Sequence, residues 1–349
     1  MRGVAQRVLK STSGPFGPYE ARDVIDQMDA GILGAGHPHQ GGLVDTPEGD
    51  WYYMAFTDVF PVGRAPILAP VTFDDEGWPT VVTNNAAWPS ATKFPRQSAA
   101  PSHAAKTTIG KYSFDEPKLD HRFAWNHNPD NSKWRIESGH LVLQTGTVTN
   151  SLHAATNTLT LRTVGPGSIA TVCLDVSGMR AGDRAGLCML RDESAYIGIH
   201  AGADGRRTIA YVDDIKDGPK NGPDSVPVGF MNGRPVALDW KSYSVGTVGA
   251  ETALRAEGSQ VWLRVRADLR PRFVEPCVGE DRLAVFEYSV DGRVFTQLGP
   301  AHALTKSYHG FVGHRFGVFN FATEALGGEV LVSEVEVALW EPKGETVTG

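Results

Sequence analysis

Short alternations of apolar and polar residues, each ended by glycine, proline or an Asp-Gly pair, run the length of this chain, and no stretch long enough for a helix carries a helical apolar stripe. A period of two sends successive side chains to opposite faces of an extended strand, so the pattern predicts strands buried on one side. Trp51-Tyr52-Tyr53-Met54-Ala55-Phe56 follows the turn residues Pro47-Glu48-Gly49-Asp50, with Leu43-Val44-Asp45 as the other arm of a hairpin. Asp204-Gly205 and Asp291-Gly292 each lie between two such runs and predict two-residue hairpin turns. The 39 glycines and 22 prolines, spread without a period of three, supply the turns of an all-β fold.

Charge and cysteine use exclude several functions. Thirty-three Lys and Arg against forty Asp and Glu leave a formal charge of −7, and no basic run is long enough to track a phosphate backbone, so nucleic acid is not an expected partner. Cys173, Cys188 and Cys277 have no CxxC spacing and cannot all pair, which argues against a zinc site or a disulfide framework. Cys173 and Cys188 lie in apolar runs and read as buried small hydrophobes. No apolar run approaches the roughly 18 residues of a membrane span, and the opening Met1-Arg2-Gly3-Val4-Ala5-Gln6-Arg7-Val8-Leu9-Lys10 has basic residues but lacks the apolar core of a secretory signal. The expectation is a soluble chain of unknown compartment, with no membrane partner.

At 349 residues the chain is long enough for roughly two domains of about 150 residues. Residues 84 to 111, rich in Ala, Pro, Ser, Thr and Lys with little alternation, mark the boundary. The organisation expected is a β-domain fragment over 1–95, a linker over 96–111 and a two-sheet sandwich over 112–349. The first part, read alone, would leave strand edges and an apolar face without partners.

Several elements in order then become recognisable. Gly14-Pro15-Phe16-Gly17-Pro18-Tyr19-Glu20, His37-Pro38-His39-Gln40-Gly41-Gly42-Leu43-Val44-Asp45-Thr46, Gly49-Asp50-Trp51, Gly63-Arg64-Ala65-Pro66 and Gly77-Trp78-Pro79 resemble the last one to two blades of a five-bladed β-propeller. Phe114-Asp115, Trp125-Asn126-His127-Asn128-Pro129-Asp130, Trp134, Gly165-Pro166, Asp183-Arg184-Ala185-Gly186-Leu187 and Gly313-His314-Arg315-Phe316-Gly317 resemble the concanavalin A-like jelly-roll sandwich that follows it. The family so resembled is glycoside hydrolase family 43, in its β-xylosidase and α-arabinofuranosidase-like branch.

The resemblance implies hydrolysis of O-glycosyl bonds in xylose- or arabinose-containing plant oligosaccharides and polysaccharides, with inversion. One carboxylic acid would protonate the leaving oxygen and one carboxylate would activate water. It places both, and a third carboxylate that tunes the acid, upstream of Met1, so the chain reads as the C-terminal part of such an enzyme, inactive alone, whose parent is secreted or cytoplasmic. No catalytic residue is therefore assigned within it. The alternative, from another class, is a non-catalytic carbohydrate-binding or structural sandwich module.

For substrate binding, the resemblance implies Arg64, whose rigid fork of donors suits sugar hydroxyls. It implies a histidine near a metal ion or water cluster at the propeller centre. Counting back from Leu43-Val44-Asp45-Thr46 puts Gln40 at that place, with His39 beside it, and a Gln carbonyl can ligate a hard cation. No cofactor is required; the one ion implied is a structural or central divalent cation such as calcium, with its ligands unknown. Phe311, in Tyr308-His309-Gly310-Phe311, resembles the sandwich aromatic that closes a shallow subsite. Among the tryptophans, Trp51 reads as core and Trp88, outside any alternation, as the freer candidate for a sugar platform. Asp23, Asp26 and Asp29 read as solvated loop residues.

Overall fold

The computed structural model describes residues 6–89, 107–217, 228–231, 234–237, 243–254, 258–272, 281–305 and 312–342. It divides into two compact units. One is Met1–Lys106 with Arg270–Glu280 and Lys306–Val312; the other is Thr107–Leu269, Asp281–Thr305 and Gly313–Gly349. Among the described residues the regular structure is strand, apart from one short 3₁₀ turn over Leu152–Ala154. None of them forms a helix long and apolar enough to cross a membrane. Cys277, Phe311 and residues 90–106 lie outside the described set.

In the first unit β1 (Gln6–Lys10) and β2 (Glu20–Ile25) make an antiparallel ribbon. The strands β3 (His39–Asp45), β4 (Trp51–Asp58), β5 (Arg64–Phe73) and β6 (Pro79–Val81) form a four-stranded antiparallel meander in chain order, the form of a propeller blade. The β3–β4 hairpin is the one expected, with Asp45 opposite Trp51 and the Thr46 N–H donating to the Asp50 carbonyl at 2.9 Å. One face of β4, through Tyr53 and Ala55, packs on Ala69, Val71, Val81, Ile25 and Trp88. The ribbon is tied to the blade where Lys10 and Arg22 stand over the Trp78 ring, 4.8 and 4.7 Å from its centre.

The two tryptophans reverse their expected places. Trp88 is 3% exposed, donates its indole N–H to the Leu68 carbonyl and lies against Tyr53, so it is core rather than platform. Trp51, at the first position of β4, is 37% exposed and meets Phe73 edge to face. Trp88 fills the open side of a small sheet that lacks enough large apolar side chains of its own. Trp51 starts its strand at the margin of that core.

The second unit is two antiparallel sheets. The nine-stranded sheet is built on Gly167–Asp175, paired with Gln260–Asp268 on one side and Glu329–Leu339 on the other. The seven-stranded sheet is built on Asp183–Leu190, between Glu193–Ala201 and Arg315–Ala322. Asn320 crosses from the second sheet to donate to the Leu143 carbonyl of the first at 2.7 Å, and His302 Nδ1 meets Asp213 across the same gap at 2.8 Å. Gln260–Asp268 alternates strictly between buried residues and exposed or half-exposed ones, as its period of two predicts. Residues 194–199 are buried at every position, the pattern of a strand covered on both faces, and Leu152 and Ala155 join the cluster on the outer side.

Neither Asp-Gly pair makes the tight turn expected. Glu193–Ala201 and Arg207–Lys216 do pair, but through residues 202–206, closed by the Gly202 N–H on the Arg206 carbonyl at 2.8 Å. At Asp291 the carboxylate accepts the N–H groups of Arg293 and Val294 at 2.8 and 2.9 Å, so the side chain closes a wider loop and pairing resumes only at Thr296 and Gln297. Cys173 and Cys188 are buried free thiols, and burial pushes both pKa values up.

Candidate functional site

The face of β4 opposite the blade core carries Phe56 and Asp58, two residues apart and so on one side of the strand. Cross-strand pairing brings two more side chains to that side: His39 lies opposite Phe56, and Arg64 lies opposite Asp58. The Asp58–Arg64 pair closes over residues 59–63, where the Val59 N–H donates to the Gly63 carbonyl at 2.8 Å. Gly63 takes a φ of +107°, open to glycine and strained for any L side chain, so the Gly-Arg element delivers Arg64 from the turn.

The four side chains form one cluster. Asp58 is 4% exposed, and its two oxygens serve two partners: Oδ1 accepts Arg64 Nε at 3.0 Å and Oδ2 meets His39 Nε2 at 3.0 Å. The Arg64 guanidinium stands 4.2 Å from the centre of the Phe56 ring, and the His39 imidazole meets the same ring edge to face at 4.4 Å. Burial pushes the His39 pKa below its ordinary value; the Asp58 charge opposes this, and Arg64 and His37 add to it. His39 is therefore held towards the neutral form. His37 Nδ1 bonds the Met28 carbonyl at 2.9 Å.

A bulge in β3 separates His39 from Gln40. His39 pairs with Phe56 and Gly42 with Met54, so Gln40 and Gly41 together oppose one residue of β4. Gln40 takes a φ of +51° and is exposed. Gly41 lies so close to β4 that a Cβ there would be 2.5 Å from the Met54 carbonyl oxygen and the Tyr53 ring. The structure thus brings His39 and Arg64 together and leaves Gln40 outside. Sequence reasoning missed Phe56 and Asp58, although a period of two from Phe56 to the residue facing the Gly-Arg turn would have found both.

The cluster does not suit a calcium ion. Both Asp58 oxygens are already engaged, one by a guanidinium whose charge repels a cation, and the imidazole nitrogen is a poor ligand for a hard ion. No group of three or more His, Cys, Asp or Glu residues among the described ones is arranged to hold a metal.

Comparison with known proteins places the chain in a family. Residues 111–336 match the family model of the beta xylosidase C-terminal concanavalin A-like domain. The chain is 27% identical over 312 residues to a protein described as a putative beta-xylosidase from Xylanibacter ruminicola, covering 87% of this chain and 48% of that one. It is 26% identical over 347 residues to a beta-xylosidase from Formosa agariphila, covering 90% and 50%. The chain thus spans about half the length of these curated relatives. A solved family 43 glycoside hydrolase, engineered at its active site to display both endo-xylanase and exo-arabinofuranosidase activity, superposes with a TM-score of 0.83 at 39% identity, over 96% of this chain and 61% of that one. The family 43 protein BlXynB from Bacillus licheniformis, at 20% identity and a TM-score of 0.69, shares the fold. With its propeller-blade meander and its concanavalin A-like sandwich, the chain belongs to glycoside hydrolase family 43, in the β-xylosidase and α-arabinofuranosidase-like branch.

Proposed function

We propose that this chain is part of a glycosidase that hydrolyses O-glycosyl bonds of xylose- or arabinose-containing plant saccharides by inversion, and that the His39–Asp58–Arg64 cluster contacts the sugar. The observation that carries this reading is Arg64, held at Nε by a buried carboxylate and along its plane by Phe56. A guanidinium fixed on two sides offers hydrogen bonds at little entropic cost, which suits hydroxyl groups. The descriptions of the relatives agree, including a non-reducing end α-L-arabinofuranosidase from Bacteroides ovatus, 28% identical over 145 residues. Gln40, exposed beside the bulge, and Phe311, on sequence alone, enter the reading as further sugar contacts.

The cluster's chemistry is binding. Inversion needs an acid and a base roughly 6.5–9.5 Å apart, whereas the cluster holds one carboxylate with both oxygens engaged. The 349-residue chain is therefore expected to bind xylo- or arabino-oligosaccharides without turning over chromogenic xylosides or arabinofuranosides. Isothermal titration of the chain and of Arg64→Ala tests the reading. Binding that is lost in the variant supports it; equal binding by both, or turnover by the chain, overturns it.

A further inference from the structure

We propose that Asp58 is a positioning residue that fixes the tautomer of His39, holding the proton on Nε2 and leaving Nδ1 as a bare acceptor. That the partner of this acceptor is a sugar hydroxyl rests on the proposed function; the tautomer rests on the blade's geometry alone.

A neutral imidazole has one N–H and one lone pair, and its environment decides which nitrogen carries which. The Asp58 carboxylate, paired with Arg64, offers only acceptor oxygens, so the nitrogen 3.0 Å from Oδ2 must be the donor. That nitrogen is Nε2, and Nδ1 is left as the acceptor. Nδ1 is buried and receives no hydrogen bond among the described residues. The plane of the ring is set by its edge-to-face contact with Phe56, and the hydrogen bond to Asp58 sets which nitrogen faces the carboxylate. The charged and titratable groups acting on it are Asp58, Arg64 and His37, and burial outweighs them in keeping it neutral.

One carboxylate thereby sets two complementary groups. A hydroxyl that accepts a hydrogen bond from a guanidinium still has its own proton to give, and a bare imidazole nitrogen takes it. An ammonium or a carboxylate in the same place would lack one half of this match. The class of ligand read by the pair is a neutral polyol.

The isosteric variant Asp58→Asn gives a directional test. Its amide has a single oxygen, and Arg64 can only donate, so the oxygen stays with Arg64 and the amide N–H turns to His39. Nε2 then becomes the acceptor and the proton moves to Nδ1. Long-range proton–nitrogen correlation spectra of the full chain with labelled histidine read this directly, with His39 identified by its loss in His39→Gln. The wild type is expected to show a pyrrole-like Nε2 and a pyridine-like Nδ1 at neutral pH, and Asp58→Asn to exchange the two shifts. A wild-type His39 protonated on Nδ1, or averaged between tautomers, overturns the proposal even if the variant fails to fold; so does a folded Asp58→Asn with unchanged shifts. Titrating xylo-oligosaccharide into the wild type separates the two readings. A moved Nδ1 resonance supports both, whereas an unmoved resonance on the predicted tautomer removes the sugar and leaves the positioning role standing.

Discussion

The blade sheet and the seven-stranded sheet of the sandwich are both antiparallel, yet they dispose of their faces differently. The sandwich strand Glu193–Ala201 buries six successive residues, with Ile197 and Ile199 on one side and Tyr196 on the other. The blade strand β4 buries one side in a small core, while its other side mixes the buried Tyr52 and Asp58 with the half-buried Phe56 and the 54%-exposed Met54. A sheet covered twice by apolar side chains has no room for a polar group that lacks a partner, whereas the outer side of β4 holds a buried carboxylate because Arg64 and His39 engage both its oxygens. The candidate site lies in the part of the molecule with the fewer apolar contacts to lose.

The comparison would break first at the cores. Phe319→Ala in the sandwich, which removes a fully buried ring packed edge to face on Tyr196, is expected to cost about 3–5 kcal/mol by denaturant unfolding. Trp88→Ala in the blade should cost about as much and appear as faster amide exchange in β4 and β5, because one indole closes much of that small core. If Trp88→Ala costs less than about 1 kcal/mol, the blade does not depend on its own core. Next in size is Gly41→Ala, which must push β3 off β4; a loss of about 1–3 kcal/mol is expected, together with a change in the His39 resonances.

Acid sharpens the contrast from the sandwich side. Burial raises the Asp213 pKa, but hydrogen bonds from His302 and Tyr211 outweigh it and bring the value down to about 2. A carboxyl whose folded pKa is depressed adds stability above its unfolded pKa of about 3.9 and loses it as pH falls towards the folded value. Stability should therefore drop between about pH 4 and 2, with a shallower drop in Asp213→Asn, measured by thermal unfolding across that range. The smallest effect expected is Trp51→Ala, under about 1 kcal/mol, since the ring is already partly in water.

Much of this was legible in the sequence. Alternation and turn residues pointed to the strands, and the resemblance carried by the Gly63-Arg64 element pointed to Arg64. Where side chains compete with backbone the reading failed: Asp291 closes its loop with its own carboxylate, so a hairpin dipeptide does not make a hairpin. Trp88 carried no periodic signal because it reaches the core from a turn and not from a strand. Asp58 was hidden for another reason. Its importance lies in what stands across from it, and pairing is a property of two strands.

The bulge at Gln40 and Gly41 changes the phase of β3. Before it, odd-numbered His39 addresses the cluster; after it, even-numbered Gly42 and Val44 share that side of the sheet. The strand is thus written in two frames, and a count that starts in one frame reads the wrong letter in the other. Deleting one of the two bulge residues would restore a plain ladder with His39 still opposite Phe56 and on the same side; flattening the bulge at unchanged length would instead point the imidazole at the opposite side of the sheet.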